Sequence, residues 1–114
     1  MALNSVSNKA KIGNNVTIGD FAVIKDDVVI GNNVKIGSNV LIDDGARISD
    51  NVTLHHGAVI STIPQDLKFK GEITTLELGE NTVVREYATL NRGTAAGGKT
   101  VVGKNCLLMA YSHV

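Results

Sequence analysis

Branched aliphatic residues recur every six positions along the chain. From Val6 the series runs through Ile12, Ile18, Ile24, Ile30, Ile36, Ile42, Ile48, Leu54 and Ile60. It resumes in phase at Leu78, Val84 and Leu90, and again at Val102, Leu108 and Val114. Two residues before most of these stands a second, smaller inward candidate, such as Ala10, Val16, Ala22, Val28, Val34, Val40, Ala46, Val52, Ala58, Ala88 or Cys106. A spacing of two places both residues on one side of a strand. One residue after the aliphatic, glycine is frequent: Gly13, Gly19, Gly31, Gly37, Gly79 and Gly103. Pairs such as Asn14-Asn15, Asp26-Asp27 and Asn32-Asn33 follow, and Gly, Asn and Asp all tolerate positive φ at turns. Each hexad therefore predicts a very short strand and a corner. A helix is a poor alternative, since six is not a multiple of 3.6 and the segments are rich in Gly and β-branched residues. The consistent solution is an all-β solenoid in which three hexads make one coil, about five coils in all, stacked in parallel register around a thin aliphatic prism.

Two breaks interrupt the phase. Between Ile60 and Leu78, continuing the repeat would turn Asp66 and Glu72 inward and bury unpaired carboxylates. This stretch predicts a loop of about twelve residues thrown out from a corner. Between Leu90 and Val102 an in-phase hexad with Ala96 inward is possible, but Gly97-Gly98 argues for an excursion of about six residues. With both breaks as loops, Val6, Ile24, Ile42, Ile60, Leu90 and Val114 share one face, and both loops leave the same corner one coil apart. His113 then points outward on that face, beside Thr89 and Asn91. Lower on it, Val23, Leu41 and Val59 form an apolar outward stripe, which suggests a subunit contact.

Composition narrows the function classes. The 114 residues carry 11 Lys+Arg and 11 Asp+Glu. That balance argues against a strongly basic nucleic-acid binder or a polybasic membrane-surface protein. Aromatics are 4% and Trp is absent, which fits a narrow core filled by Val, Ile and Leu. The single Cys106 excludes an intramolecular disulfide and a multi-cysteine zinc site. It reads as a small inward residue. His55 and His56 read as a solvated corner, with no metal site expected. No run approaches the roughly 18 apolar residues of a membrane span, and MALNSVSNKAKIG lacks the order of a signal peptide. The expectation is a soluble, cytoplasmic protein.

The repeat resembles that of the hexapeptide-repeat acyltransferases, whose fold is a left-handed parallel β-helix that assembles as a homotrimer. The match sharpens over residues 64–114. There the QDLK-x-x-GE loop, the N-RGT-x-x-GG-x-T segment and the LLM-x-x-x-H run occur in order. In these the chain is similar to the UDP-N-acetylglucosamine O-acyltransferases of lipid A biosynthesis. The resemblance implies transfer of an (R)-3-hydroxyacyl chain from acyl carrier protein to the 3-hydroxyl of UDP-N-acetylglucosamine. A histidine would act as general base and a backbone N–H would hold the oxyanion, without cofactor, metal or covalent intermediate.

By the same resemblance, Gln65, Asp66 and Lys68 match the loop residues that contact the sugar nucleotide. Asn91 stands where some members have His. His113 matches a histidine near the substrate that is not the base. The base falls three residues after that histidine, beyond Val114, so no catalytic residue is expected within the chain. The domain, residues 1–114, accordingly reads as truncated, lacking later coils and a C-terminal helical domain, and as inactive alone. A catalytically silent β-helix scaffold and a related sugar-nucleotide acyltransferase are the alternatives.

Overall fold

The computed structural model describes residues 3–62, 74–91 and 99–114. The two expected loops, with Gln65, Asp66 and Lys68, lie outside the described residues. Among the described residues, fifteen short strands form three parallel five-stranded sheets. Sheet A holds β1 (Ser5–Val6), β4 (Val23–Ile24), β7 (Leu41–Ile42), β10 (Val59–Thr62) and β13 (Thr89–Asn91). Sheet B holds β2 (Lys11–Ile12), β5 (Val28–Ile30), β8 (Ala46–Ile48), β11 (Thr75–Leu78) and β14 (Lys99–Val102). Sheet C holds β3 (Thr17–Ile18), β6 (Lys35–Ile36), β9 (Thr53–Leu54), β12 (Val83–Val84) and β15 (Leu107–Leu108).

The chain visits A, B and C in turn, and the aliphatic positions pair from coil to coil, Val6 with Ile24, Ile12 with Ile30 and Ile18 with Ile36; between β10 and β13 the register shifts between Ile60 and Thr62. The coils wind left-handed. The right-handed preference of parallel crossovers comes from strand twist. Strands of two or three residues accumulate little twist, so flat faces joined by tight corners escape that preference.

Both aliphatic positions of the hexad are inward. Ile24, Ile42, Leu54, Ile60, Leu78 and Leu90 are buried, and so are their smaller partners Ala22, Val40, Val52, Ala58 and Ala88. Cys106 packs half-buried against the same core. At the end coils the inward positions open to solvent, as at Val6, Ile12 and Val114.

The corners divide the polar residues by role. The left-handed conformation falls on the third residue after the aliphatic. On the corner from sheet B to sheet C that residue is always asparagine: Asn15, Asn33, Asn51, Asn81 and Asn105, with φ between 57° and 62°. The preceding residue binds the neighbouring coil, as where Asn32 Oδ1 accepts from Asn14 N at 2.8 Å and Asp50 Oδ1 accepts from Asn32 N at 2.7 Å. The glycines one residue after the aliphatic are needed for a different reason from the positive φ expected of them. None of the six has positive φ. A Cβ on Gly19 would lie 2.7 Å from the carbonyl carbon of Gly37, so glycine is set there by close approach of the coils.

The step from Leu90 to Val102 advances the chain by one face, from β13 in sheet A to β14 in sheet B. An in-phase hexad would have advanced it by two. The step from Ile60 to Leu78 likewise joins A to B.

Candidate functional site

The upper end of sheet A gathers the candidate residues that the structure describes. His113 forms a parallel bridge with Thr89. Thr89 N donates to Ser112 O at 3.0 Å, Val114 N donates to Thr89 O at 2.9 Å, and Asn91 N donates to Val114 O at 3.0 Å. These bonds hold the backbone on both sides of His113. Its ring projects outward and is exposed, and its Nδ1 lies 2.6 Å from Thr89 Oγ1. The pairing follows from the sequence. Thr89 and His113 each precede an inward residue, Leu90 and Val114, and so share the outward side of sheet A.

Asn91 pairs with Thr62 one coil below, and at the register shift just before Thr62, Ser61 is fully buried at φ 69°, its hydroxyl donating to Asp44 O at 2.8 Å. Asp44 Oδ1 accepts from Asp27 N at 3.0 Å, while Asp27 pairs with Arg47 at 2.8 Å. The acidic residues of this corner are thus engaged in holding coils together. Buried Thr74 leads into β11, and among the described residues its hydroxyl has no partner. The segments 63–73 and 92–98 both connect sheet A to sheet B at this corner. Asn91 and His113 therefore lie together at the end of sheet A. Gln65, Asp66 and Lys68 belong to the connection that begins one coil below Asn91.

The corner from sheet C to sheet A carries a feature that the hexad pattern did not announce. Its left-handed residues include Phe21, Tyr87 and Tyr111, with φ near 60°. The Tyr87 and Tyr111 rings stack at 5.4 Å, and His56 meets Tyr87 edge-on at 5.1 Å with Nε2 2.7 Å from the phenol oxygen. Gly57, at φ 74°, leaves the space over which the Tyr87 ring lies. The signal was present as aromatics at the asparagine position of the hexad, in phase at 21, 87 and 111. Beside them Arg85 forks onto Glu86, with Nε 2.8 Å from Oε1 and Nη2 3.2 Å from Oε2. That hydrogen bond, helped by a backbone one, pulls the Glu86 carboxyl down to about 2. Both side chains are solvated, so the pair contributes little to stability.

Among the described residues no group of three or more His, Cys, Asp or Glu could hold a metal ion, and no helix is long and apolar enough to cross a membrane.

Three parallel sheets built on a six-residue aliphatic period define a hexapeptide-repeat β-helix, and residues 9–44 match the family model "Bacterial transferase hexapeptide (six repeats)". The acyl-[acyl-carrier-protein]–UDP-N-acetylglucosamine O-acyltransferase of Chlorobaculum parvum is 60% identical over 95% of this chain, and that of a Sulfurihydrogenibium species 63% over 96%. Each match covers 41% of the relative. The crystal structure of the UDP-N-acetylglucosamine acyltransferase of Bacteroides fragilis superposes with a TM-score of 0.97 at 54% identity, over 98% of this chain and 44% of that one. The Francisella novicida enzyme gives 0.96 at 39% identity, over 100% and 42%. Over nearly all of its length the chain is similar to the UDP-N-acetylglucosamine O-acyltransferases, and it spans about 41% of the length of the curated relatives it matches.

Proposed function

We propose that this chain forms the sugar-nucleotide part of an acyltransferase that moves an (R)-3-hydroxyacyl group from acyl carrier protein to the 3-hydroxyl of UDP-N-acetylglucosamine. The observation that carries the reading is the convergence on one end of sheet A. Exposed His113 and Asn91 lie there, on the sheet whose strands β10 and β13 precede the two A-to-B connections, in a chain 60% identical to a protein named for that activity. Asp66 accepts hydrogen bonds from sugar hydroxyls, Lys68 meets an anionic or polar group of the nucleotide, and Gln65 and Asn91 complete the polar lining. His113 donates to substrate and is not the base. The general base is assigned to no residue of this chain. The protein works in the cytoplasm as a homotrimer whose subunits meet along sheet A, with the site at the subunit boundary.

A chimera tests this. The 114 residues replace the matching segment of the Chlorobaculum parvum relative, and transfer is followed with 3-hydroxyacyl carrier protein and UDP-N-acetylglucosamine. The chimera is expected to turn over, and the 114-residue chain alone is not. Lys68→Ala and His113→Ala should each lower kcat/KM roughly 10- to 100-fold, the range for loss of one hydrogen bond involving a charged or strongly polar group. A folded chimera without transfer, or variants with unchanged kcat/KM, would overturn the proposal.

A further inference from the structure

We infer that Ser61 is a positioning residue for the sugar nucleotide: its left-handed bulge, held by a buried hydrogen bond, sets where the connection bearing Gln65, Asp66 and Lys68 leaves sheet A. This rests on the reading of that connection as a substrate contact.

Ser61 breaks the corner rule of the fold. Among the described residues every other left-handed residue stands three positions after an inward aliphatic one, and Ser61 stands one after Ile60. Val59 and Ile60 pair in phase with Leu41 and Ile42 below and with Thr89 and Leu90 above. Then the register shifts. Asn91 stands opposite Thr62, and Ser61 is opposite no residue of β13. One extra residue in one strand is a β-bulge, a device that re-aims the chain and recurs beside active sites. Without it Ser61 would face Asn91, and the chain would leave β10 one residue out of step, which exchanges the two sides of a strand. β4 and β7 end at Ile24 and Ile42, whereas β10 runs on to Thr62. Gln65 follows only three residues later, so the bulge governs where that connection starts.

The surroundings over-determine the bulge. Ile60 and Ser61 are both fully buried, where strand alternation would turn the second outward. A buried hydroxyl needs a partner, and Ser61 Oγ lies 2.8 Å from Asp44 O. A backbone carbonyl can only accept, so the serine donates. That carbonyl is itself held in place. Asp43 N donates to Ile60 O at 2.9 Å, Asp44 N to Asp43 Oδ1 at 2.8 Å, and Gly45 N to Asp27 O at 2.7 Å. A left-handed serine is strained, and strain persists where neighbouring bonds fix it.

Ser61→Gly, Ser61→Ala and Ser61→Val in the chimera with the Chlorobaculum parvum relative separate conformation from hydroxyl. All three lose the hydroxyl, but glycine accepts positive φ freely, alanine poorly and a β-branched residue worst. Apparent affinity falls with the fraction of molecules in the bulged form. KM for UDP-N-acetylglucosamine should therefore rise in the order Gly, Ala, Val, about threefold for Gly from the lost hydrogen bond and about tenfold or more for Val. KM for 3-hydroxyacyl carrier protein should stay within about twofold, since a merely structural role would lower the folded fraction, and with it kcat, and leave both KM values alone. If Val does not fold, Gly and Ala still carry the comparison. Equal nucleotide KM in folded Gly and Ala variants, or a parallel rise in both KM values, would overturn the inference. NMR of the 114-residue chain should show a left-handed φ at Ser61 and contact between the backbones of Thr62 and Asn91. An extended Ser61 would overturn the inference with no substrate present. A wild-type chimera without transfer would sink the proposed function and this inference together; an active chimera with flat nucleotide KM would sink this inference alone.

Discussion

Gly79 and Gly103 occupy the same hexad position on neighbouring coils of one corner, yet substitution should treat them differently. A Cβ on Gly79 would stand 2.6 Å from the carbonyl carbon of Gly103 and 2.7 Å from Lys104 N, all backbone. On Gly103 its nearest neighbour is Cys106 Sγ at 3.8 Å, an ordinary contact. Backbone cannot rotate away, so Gly79→Ala should destabilise the 114-residue chain by about 1–3 kcal/mol, the usual range for overpacking. Gly103→Ala should stay within about 0.5 kcal/mol of the wild type. Urea unfolding of the two variants side by side measures the difference, and equal midpoints would remove coil-to-coil approach as the reason for these glycines. Sequence reading places glycine at this position but not its reason. Composition cannot separate a glycine chosen for φ from one chosen for space, because both demands select the same residue. It also could not foresee Phe21, Tyr87 and Tyr111 in the left-handed region, which costs a side chain about 1–2 kcal/mol. For Tyr87 and Tyr111, ring stacking offsets part of that cost.

A single hexad is too short to be a stable strand, so each element holds its shape only through the coils above and below it. Ile42 is fully buried between β4 and β10, whereas Ile12 lies on the first coil with 37% of its surface open. Ile42→Ala should therefore cost about 3–4 kcal/mol, near the upper part of the range for a cavity that cannot collapse, and Ile12→Ala about 1 kcal/mol. Comparable losses in thermal unfolding would mean that the end coils are better packed than their exposure implies. This scale was the most legible in the sequence. Period, inward pairs and sheet assignment all follow from counting in sixes, because a one-residue slip would turn every aliphatic residue outward. Residues 90–102 were harder. Ala96 satisfies the inward position as well as many true ones do, so the repeat alone left two paths open there. The pairing of Val102 with Leu78 closes one of them. The candidate site divides in the same way. The placement of His113 beside Thr89 could be counted from the phase, but the 2.6 Å bond between their side chains could not, because hexad phase fixes Cα positions and leaves rotamers free.

For the molecule as a whole, three outward faces compete to be an interface. Sheet B mixes Lys11, Val29, Arg47, Glu77 and Val101, and sheet C mixes Thr17, Lys35 and Thr53 with Val83 and Leu107. Only sheet A stacks Val23, Leu41 and Val59 in unbroken register. These three are half-buried even in one chain, because each covers its neighbour, whereas Val29 on sheet B is 38% exposed. If exposed apolar area alone drove association, Val29 would matter at least as much as Leu41. If a continuous self-complementary stripe drives it, only sheet A should respond. Leu41→Glu and Val29→Glu decide between these in sedimentation equilibrium of the 12.0 kDa chain. The wild type and Val29→Glu should sediment as trimers. Leu41→Glu should sediment as a monomer, because three carboxylates would be driven into an apolar contact with no partners. A Leu41→Glu trimer would move the interface off sheet A. It would also remove the subunit boundary from beside His113, so the same measurement bears on whether the site at the top of sheet A is completed by a second copy of the chain.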